Sequence, residues 1–212
     1  MSDILDTRFE DTDIDLEAGF ISLGEELNIT EKDETIRKVC VAAGWDSFTF
    51  NSMTLDMDLS LFLLDRNGKT RVDEDFIFYN QPEALNGGVR HRGDNRSGAG
   101  DGDDETISLF LESIPFDILH AYFVLSIYQG YEKEQYMGMA RNCYIRLFNE
   151  ETGEEIVRYK MDVDLKERSE TGVVAVALNR EGPKWHFKPL MEFYPDGLSE
   201  IASKYGMVIK DQ

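Results

Sequence analysis

The sequence has little positive charge for its size. Against 42 aspartates and glutamates stand only 22 lysines and arginines, so the 212 residues carry a net charge of −20. A surface of this charge repels the phosphate backbone, and we expect no direct binding of nucleic acid. An anionic membrane face is an equally poor partner unless bound cations mediate the contact. Because acids at this density also repel one another, many of them must be well solvated or neutralised by cations.

Cysteine and histidine are scarce as well, with two and three copies. Cys40 and Cys143 lie far apart in the sequence, and we interpret them as buried, reduced thiols rather than as a disulfide. Since no cluster of cysteine and histidine is present, a zinc or copper site is not expected. His91 stands alone, and we interpret it as a structural hydrogen-bonding residue.

Long apolar runs are missing too. The longest, around residues 118–127, is broken by His120 and Ser126 and is too short to span a bilayer. The first residues are acidic and lack the basic start and apolar run of a secretory signal. We therefore expect no transmembrane segment and a cytoplasmic location.

Strand-like alternation is abundant. In residues 55–64, leucine and methionine occupy every second position, and Asp56, Asp58, Ser60 and Phe62 alternate with them. We expect this strand to bury the first set and to expose the second. Further predicted strands cover residues 36–41, 75–79, 106–111, 121–128, 142–148, 155–159 and 173–178.

The pattern near the C-terminus is that of a short helix. Asp196 is the predicted N-cap, Leu198, Ile201 and Tyr205 form an apolar stripe, and Gly206 predicts the end. Many strands with little helix predict a mainly all-β fold, a two-layer antiparallel β-sandwich with this C-terminal helix and few other helical turns. We assign residues 1–18 to an acidic N-terminal tail, flexible or partner-binding, and residues 19–212 to one domain.

The longest stretch without an apolar period, residues 80–104, is rich in glycine and acids. Loops of this length in compact domains are usually functional or disordered. Residues 93–105 read GDNRSGAGDGDDE, with five carboxylates, one carboxamide and four glycines. Two like charges at about 4 Å repel by roughly 1 kcal/mol in water, and a hard dication reverses that repulsion.

These ingredients favour calcium over the alternative of a solvated, disordered loop. Calcium accepts carboxylate, carboxamide and backbone oxygens in flexible geometry, whereas magnesium retains its waters. Glycine allows the backbone to turn its carbonyls inward. The segment is not an EF-hand, because Thr106 occupies the position that requires glycine. Asp56 and Asp58 lie two residues apart on a strand, so they share a face on which they could complete the site.

The same residues resemble the TerD family of tellurite-resistance and stress-response proteins over residues 36–206. The match begins at residues 44–46 (GWD) and continues through residues 56–60, 75–81, 114–115, 142–146 and 182–187. Its longest part runs from His91 to Glu105. We identify the chain as similar to this family on that unusual loop above all.

The resemblance implies a β-sandwich that binds calcium, usually two ions, without a firmly established enzymatic activity. It implies side-chain ligands from the strand and loop acids: Asp56, Asp58, Asp94, Asn95, Asp101, Asp103, Asp104 and Glu105. Gly100 and Gly102 would contribute carbonyls, and Asp65, Asp75 and Asn80 are secondary candidates. The implied partners are other stress and tellurite-resistance proteins, membrane-associated ones among them.

Two functions follow as alternatives. The first is a calcium-dependent binding or scaffolding module in a stress-response assembly. The second is a divalent-metal-dependent phosphoester hydrolase or phosphotransferase, in which Arg90, Arg92 and Arg96 would hold an anion beside the metals. Because His91 is the only base near the loop and the arginines are more often counter-charges to it, we expect no enzyme. Direct capture of tellurite would favour accessible thiols, for which the two cysteines give poor support.

Overall fold

The structure is a computed structural model, which describes residues 19–46, 49–50, 53–93 and 102–207. The predicted acidic tail of residues 1–18 lies outside the described residues and stays a prediction. No helix in the described ranges is long and apolar enough to cross a membrane.

Strands make up most of the regular structure. The first eight in chain order are β1 (Gly19–Phe20), β2 (Leu27–Asn28), β3 (Lys38–Asp46), β4 (Thr49–Phe50), β5 (Met53–Thr54), β6 (Met57–Leu64), β7 (Phe76–Ile77) and β8 (Glu83–Ala84). The remaining ones are β9 (Val89–His91), β10 (Glu105–Phe110), β11 (His120–Ile127), β12 (Arg141–Asn149), β13 (Glu155–Lys160), β14 (Gly172–Glu181) and β15 (Lys184–Tyr194). The helices are α1 (Ile29–Lys32), α2 (Asp162–Leu165) and α3 (Gly197–Tyr205), and 3-10 turns cover Asp73–Asp75, Leu85–Gly87, Leu111–Ser113 and Met137–Met139.

Two sheets face each other, as the alternating pattern predicts. The first sheet has the order β1-β13-β12-β3-β10-β9-β8, and the second has the order β2-β15-β14-β11-β6-β7. Neighbouring strands are antiparallel except β1, which runs parallel to β13. The short β4 and β5 form a separate ribbon. The prediction of a two-layer, mainly antiparallel β-sandwich is confirmed.

The core lies between the two sheets. Val41, Ile107 and Ile145 project into it from the first sheet, and Leu61 and Phe123 project into it from the second, each with no exposed surface. Burial of apolar area at roughly 25 cal/mol per Å² is the dominant stabilising contribution in such an interface.

The prediction that the second face of β6 is exposed is wrong. Ser60 and Phe62 have no exposed surface. Helix α3 packs over the outer side of the second sheet, where Ile201 and Tyr205 join Phe62 and Val124 in a second apolar cluster. Both faces of β6 are therefore covered, and only its first residues carry a partly exposed acid.

The C-terminal helix itself is confirmed. It ends at Gly206, which has a left-handed φ of 96° and donates its backbone N–H to the last turn. Asp196 occupies the N-cap position but makes no side-chain cap hydrogen bond.

The strands differ from the prediction in three places. The strand predicted at residues 75–79 is reduced to Phe76–Ile77, because Asp75 belongs to a 3-10 turn. The first half of the predicted loop at residues 80–104 contains β8 and β9. The eleven-residue β15 was not predicted at all, although Trp185 and Phe187 alternate with polar residues, because Pro189 argues against a strand inside a sheet.

Cys40 and Cys143 are both buried and free, as predicted. Burial raises the pKa of the Cys40 thiol to about 11 and also raises the pKa of Cys143. Both side chains therefore stay protonated near neutral pH.

The packing of β6 can be tested with a matched pair of leucines. Replacing the fully buried Leu61 by alanine leaves a cavity between the sheets and should lower the free energy of unfolding by about 2–5 kcal/mol. The same substitution at Leu23, which is 50% exposed, should change it by less than about 0.5 kcal/mol. Urea denaturation measures both values, and equal losses would contradict the described core.

Candidate metal centre

The acidic loop joins β9 to β10 at one end of the sandwich. Its residues 94–101 lie outside the described residues, and with them the predicted ligands Asp94, Asn95, Gly100 and Asp101 and the predicted anion contact Arg96. The described part of the loop end, residues 102–105, shows how the loop is anchored to both sheets.

Glu105 enters the space between the sheets. Its side chain has no exposed surface, and its Oε2 accepts a hydrogen bond from the Leu59 N–H on β6, with a distance of 2.5 Å. Strand β7 pairs with β6 only at Leu61 and Phe62, so Leu59 lies beyond the end of β7. A carboxylate from the first sheet thus satisfies a backbone group that no strand covers.

His91 satisfies the other backbone group of the same residue. Its Nε2 lies 3.0 Å from the Leu59 carbonyl oxygen and 3.5 Å from Glu105 Oε2. Because a carbonyl can only accept, Nε2 carries the proton. The His91 side chain is 3% exposed, and the interpretation of His91 as a structural hydrogen-bonding residue is confirmed.

The groups around His91 shift its pKa in opposite directions. Burial lowers the pKa of His91, but the hydrogen bond to Glu105 and the charge of Glu105 raise it more. The Leu59 carbonyl and the charge of Asp58 raise it further, and the net shift is upward. Asp58 directly precedes Leu59 in β6, so its backbone lies beside the contacts that Glu105 and His91 make with Leu59.

Asp104 anchors the loop to β3. Its backbone N–H donates to the Ala43 carbonyl over 2.8 Å, which extends the ladder between β10 and β3 by one residue. Its Oδ2 accepts from the Trp45 N–H, also over 2.8 Å, and the residue is 8% exposed.

Asp103 faces the outer side of the first sheet. Arg146 binds it with two parallel hydrogen bonds of 2.8 Å from Nε and 2.6 Å from Nη2, and the Tyr144 hydroxyl donates to it over 3.0 Å. Arg146 also donates to Glu155, which binds Arg158. Burial and the neighbouring Asp103 charge raise the pKa of Tyr144 to about 12.

This network was missed from the sequence. Tyr144 and Arg146 could have been assigned to the outer face of β12, because they alternate with buried Cys143, Ile145 and Leu147. Their partner could not, because nothing in the sequence pairs β12 with the loop.

The predicted ligands Asp58 and Asn80 line one groove of the surface, and Gly102 lines another. Asp58 and Asn80 line one surface groove of about 530 Å³, and the Asp56 carboxylate lies 3.7 Å from Lys133 Nζ. Gly102 lines a cavity of about 390 Å³ together with Asp46 and Asp162.

Asp65 and Asp75 lie elsewhere. Asp65 follows the last residue of β6, so it is about 23 Å from Asp58 along an extended strand. Its carboxylate accepts from the backbone N–H groups of Asn67 and Lys69, which lower its pKa. Asp75 is buried in a bidentate ion pair with Arg71. The structure does not bring either residue to the loop.

The donor set fits calcium in kind. The candidates at this end are carboxylate, carboxamide and backbone oxygens, which are the ligands of a hard cation. Among the described residues alone, no three Asp, Glu, His or Cys side chains form a metal-binding group.

The two described arginines of the predicted anion contact project outward from the first sheet. Arg90 lies 3.5 Å from Glu83, and Arg92 forms a close ion pair with Glu150. Both arginine side chains are about half exposed, at 52% and 51%.

Comparison with known proteins identifies relatives of this chain. A family model described as the TerD domain matches residues 20–205. The chain is 38% identical to General stress protein 16U of Bacillus subtilis over 89% of this chain and 97% of that protein. It is 34% identical to Tellurium resistance protein TerD of Serratia marcescens over 88% of this chain and 96% of that protein.

Solved structures agree on the fold. A Streptomyces coelicolor protein described as a homologue of telluride resistance protein TerD superposes with a TM-score of 0.64 at 13% identity, covering 82% of this chain and 99% of that one. A crystal structure of a protein of unknown function gives the same TM-score at 19% identity, covering 79% of this chain and 95% of that one. At these identities the likeness concerns the fold alone.

The Arg146 network predicts a pH-dependent contribution to stability. Burial raises the pKa of Glu155, but Arg158 and Arg146 lower it more, so its folded pKa lies below the ordinary value of 4.5. The stabilisation is therefore fully present above pH 4.5 and is lost as the pH falls through the folded pKa. Glu155→Gln should lower the free energy of unfolding by on the order of 1 kcal/mol at pH 7.

The measurement is urea denaturation from pH 7 down to the lowest pH at which the protein stays folded. The deficit of the variant should shrink below pH 4.5. Glu154→Gln, an exposed neighbour in the same hairpin, serves as the control and should be nearly neutral throughout. A Glu155→Gln deficit that grows on acidification would contradict the assignment.

Proposed function

This chain belongs to the TerD domain family, and on that premise we propose that it is a calcium-binding module of the stress response that acts by binding partners. Its named relatives are tellurium-resistance and general stress proteins. In this proposal the chain binds two calcium ions and acts as a scaffold for its partners.

The observation that carries the proposal is the contact of Glu105 and His91 with the backbone of Leu59, the residue that follows Asp58 in β6. It sets the beginning of β6 beside the end of the acidic loop, although 46 residues separate Leu59 from Glu105 in sequence. A strand acid and the loop acids thus share one end of the sandwich, which is the arrangement that a site built from both requires.

The loop acids Asp94 and Asp101 with Asn95, and the strand acids Asp56 and Asp58, would supply the side-chain oxygens. Gly100 and Gly102 would supply carbonyls. Calcium bound there would neutralise the crowded carboxylates and join the loop to the second sheet. Asp103, Asp104 and Glu105 have partners in the structure already, so they support the proposal more as anchors of the loop than as free ligands.

A binding role is favoured over catalysis by the position of His91. The only base that the sequence offers beside the loop is buried and engaged with Leu59 and Glu105, where it cannot reach a substrate. The protonated, buried thiols likewise argue against direct capture of tellurite.

The partners we propose are other stress and tellurite-resistance proteins, and the location we propose is the cytoplasm. The support for the location is the pair of free cysteines, which suits a reducing compartment. The support for the partners is the family alone.

Calorimetric titration of the whole protein with calcium tests the proposal. Calcium at 100 times its dissociation constant should stabilise the wild type by about 2.7 kcal/mol, seen as a higher melting temperature. Asp101→Asn in the loop and Asp58→Asn on β6 should each weaken calcium binding by at least about tenfold, because each removes a charged ligand.

Asp117→Asn is the matched control, since this exposed aspartate pairs with Arg71 on another part of the surface. It should leave calcium binding unchanged. A wild-type melting temperature that neither calcium nor a chelator alters would overturn the proposal. If Asp58→Asn bound calcium like the wild type while Asp101→Asn did not, Asp58 would not be a ligand and the site would be formed by the loop.

A further inference from the structure

A groove of about 400 Å³ lies on the outer face of the first sheet, away from the space between the sheets. It crosses β3, β10 and β9 and is bounded by the turn of residues 85–88. Three bases line it: Lys38, Arg90 and Arg92. In a protein of net charge −20, a recess lined by three bases and one acid, Glu150, reverses the sign of the charge locally.

The alternation of β9 explains how the bases reach the groove. Val89 and His91 point into the sandwich, so Arg90 and the following Arg92 project from the opposite face. In the neighbouring strand Ser108 is paired with Arg90, and Phe110 lies under the Lys38 ammonium, 6.0 Å from its ring centre.

The turn before β9 is strained in a way that serves Arg90. Leu85, Asn86 and Gly87 have φ values of 51°, 55° and 83°, a run of left-handed residues that non-glycine side chains disfavour. A Cβ on Gly87 would lie 2.6 Å from Arg90 Nη2. The missing side chain therefore lets the guanidinium rest against the turn.

Ser108 adds a hydroxyl to the floor of the groove. The residue is 5% exposed, and in the described part of the chain its hydroxyl has no hydrogen-bond partner other than the neighbouring Cys40 thiol. The hydroxyl oxygen has almost no accessible surface, so it shapes the floor of the groove and does not contact an anion above it.

Glu150 shows what kind of group the groove accepts. Its carboxylate lines the groove and pairs closely with Arg92, while its backbone N–H donates to the Lys38 carbonyl over 3.0 Å. The groove thus already holds one internal carboxylate, and among the described residues the ion pair of Arg90 is a longer contact of 3.5 Å with the exposed Glu83.

We propose that this groove is a binding site for a small dianionic oxyanion of the phosphate class, either free or as a phosphomonoester. Arg90 binds its oxygens through its planar donor fork, Arg92 shares its fork between the anion and Glu150, and Lys38 adds charge. Because the surrounding surface is acidic, the affinity depends on these few groups and not on a general attraction for anions. The site is independent of the calcium proposal.

Titration of the whole protein with inorganic phosphate at low salt, followed by calorimetry, tests the site. Arg90→Gln should weaken binding by at least about fivefold. Arg168→Gln is the matched control, because Arg168 is 44% exposed and lies 3.7 Å from Glu170, much as Arg90 lies near Glu83. Equal effects of the two substitutions, or no binding to the wild type at millimolar phosphate, would overturn the proposal.

A second pair of variants separates the position of Arg90 from its charge. Gly87→Ala keeps every charge but displaces the guanidinium, and it should weaken phosphate binding. Gly153→Ala introduces the same backbone strain, at a φ of 77°, with nothing within 4 Å of the new Cβ, and it should bind like the wild type. Melting temperatures of both variants confirm that they fold, and equal phosphate affinities of the two would count against the site.

Glu150→Gln provides a gain of function. Removing the internal carboxylate frees Arg92 and should tighten phosphate binding by about threefold or more. Weaker or unchanged binding would contradict the role given to Glu150. Phenyl phosphate distinguishes the two sources of the anion: tighter binding than inorganic phosphate identifies a phosphomonoester whose organic group contacts Phe110, and equal binding identifies the free oxyanion.

Discussion

A buried carboxylate needs partners before an acidic loop can be fixed to an apolar sandwich, and Glu105 Oε2 has two of them, the Leu59 amide and His91. Leaving a buried charge without such partners would cost several kcal/mol. The contact joins a strand of each sheet at one point, and it sets the beginning of β6 beside the loop. The contact also positions the residues just before Glu105. Asp104 binds β3 through the Trp45 N–H, and Asp103 binds Arg146.

The fold could be predicted from alternation, because most strands bury one face and expose the other. The exceptions have physical causes: Ser60 and Phe62 are buried because α3 covers the second sheet, and β8 and β9 are too short to show a period. For the site, the loop and Asp58 could be identified by their chemistry, whereas Asp65 and Asp75 came only from the family resemblance and have partners in a turn and an ion pair. The pairings of Glu105 with Leu59 and of Asp103 with Arg146 depend on contacts between distant strands, which no local pattern contains.

Several of the described lysines and arginines are concentrated on one face of the protein. Arg146 lies 4.7 Å from the Phe148 ring centre, Arg158 lies 4.4 Å from that of Tyr144, and Lys160 lies 4.8 Å from that of Phe20. With the bases of the groove, these side chains place much of the protein's scarce positive charge on the outer face of the first sheet. Some of the acids are compensated on this same face, where Arg146 binds both Asp103 and Glu155.

The strands that border the two main sheets have a consequence for the protein in concentrated solution. In the described part of the chain, β1 and β8 flank the first sheet, β2 and β7 flank the second, and each is two residues long. Each border strand offers few unpaired backbone groups of its own to template a strand from another molecule, and it covers two residues of the strand behind it. Mutual repulsion between copies of net charge −20 further disfavours aggregation through β-pairing, a useful property for a protein whose relatives are named for stress.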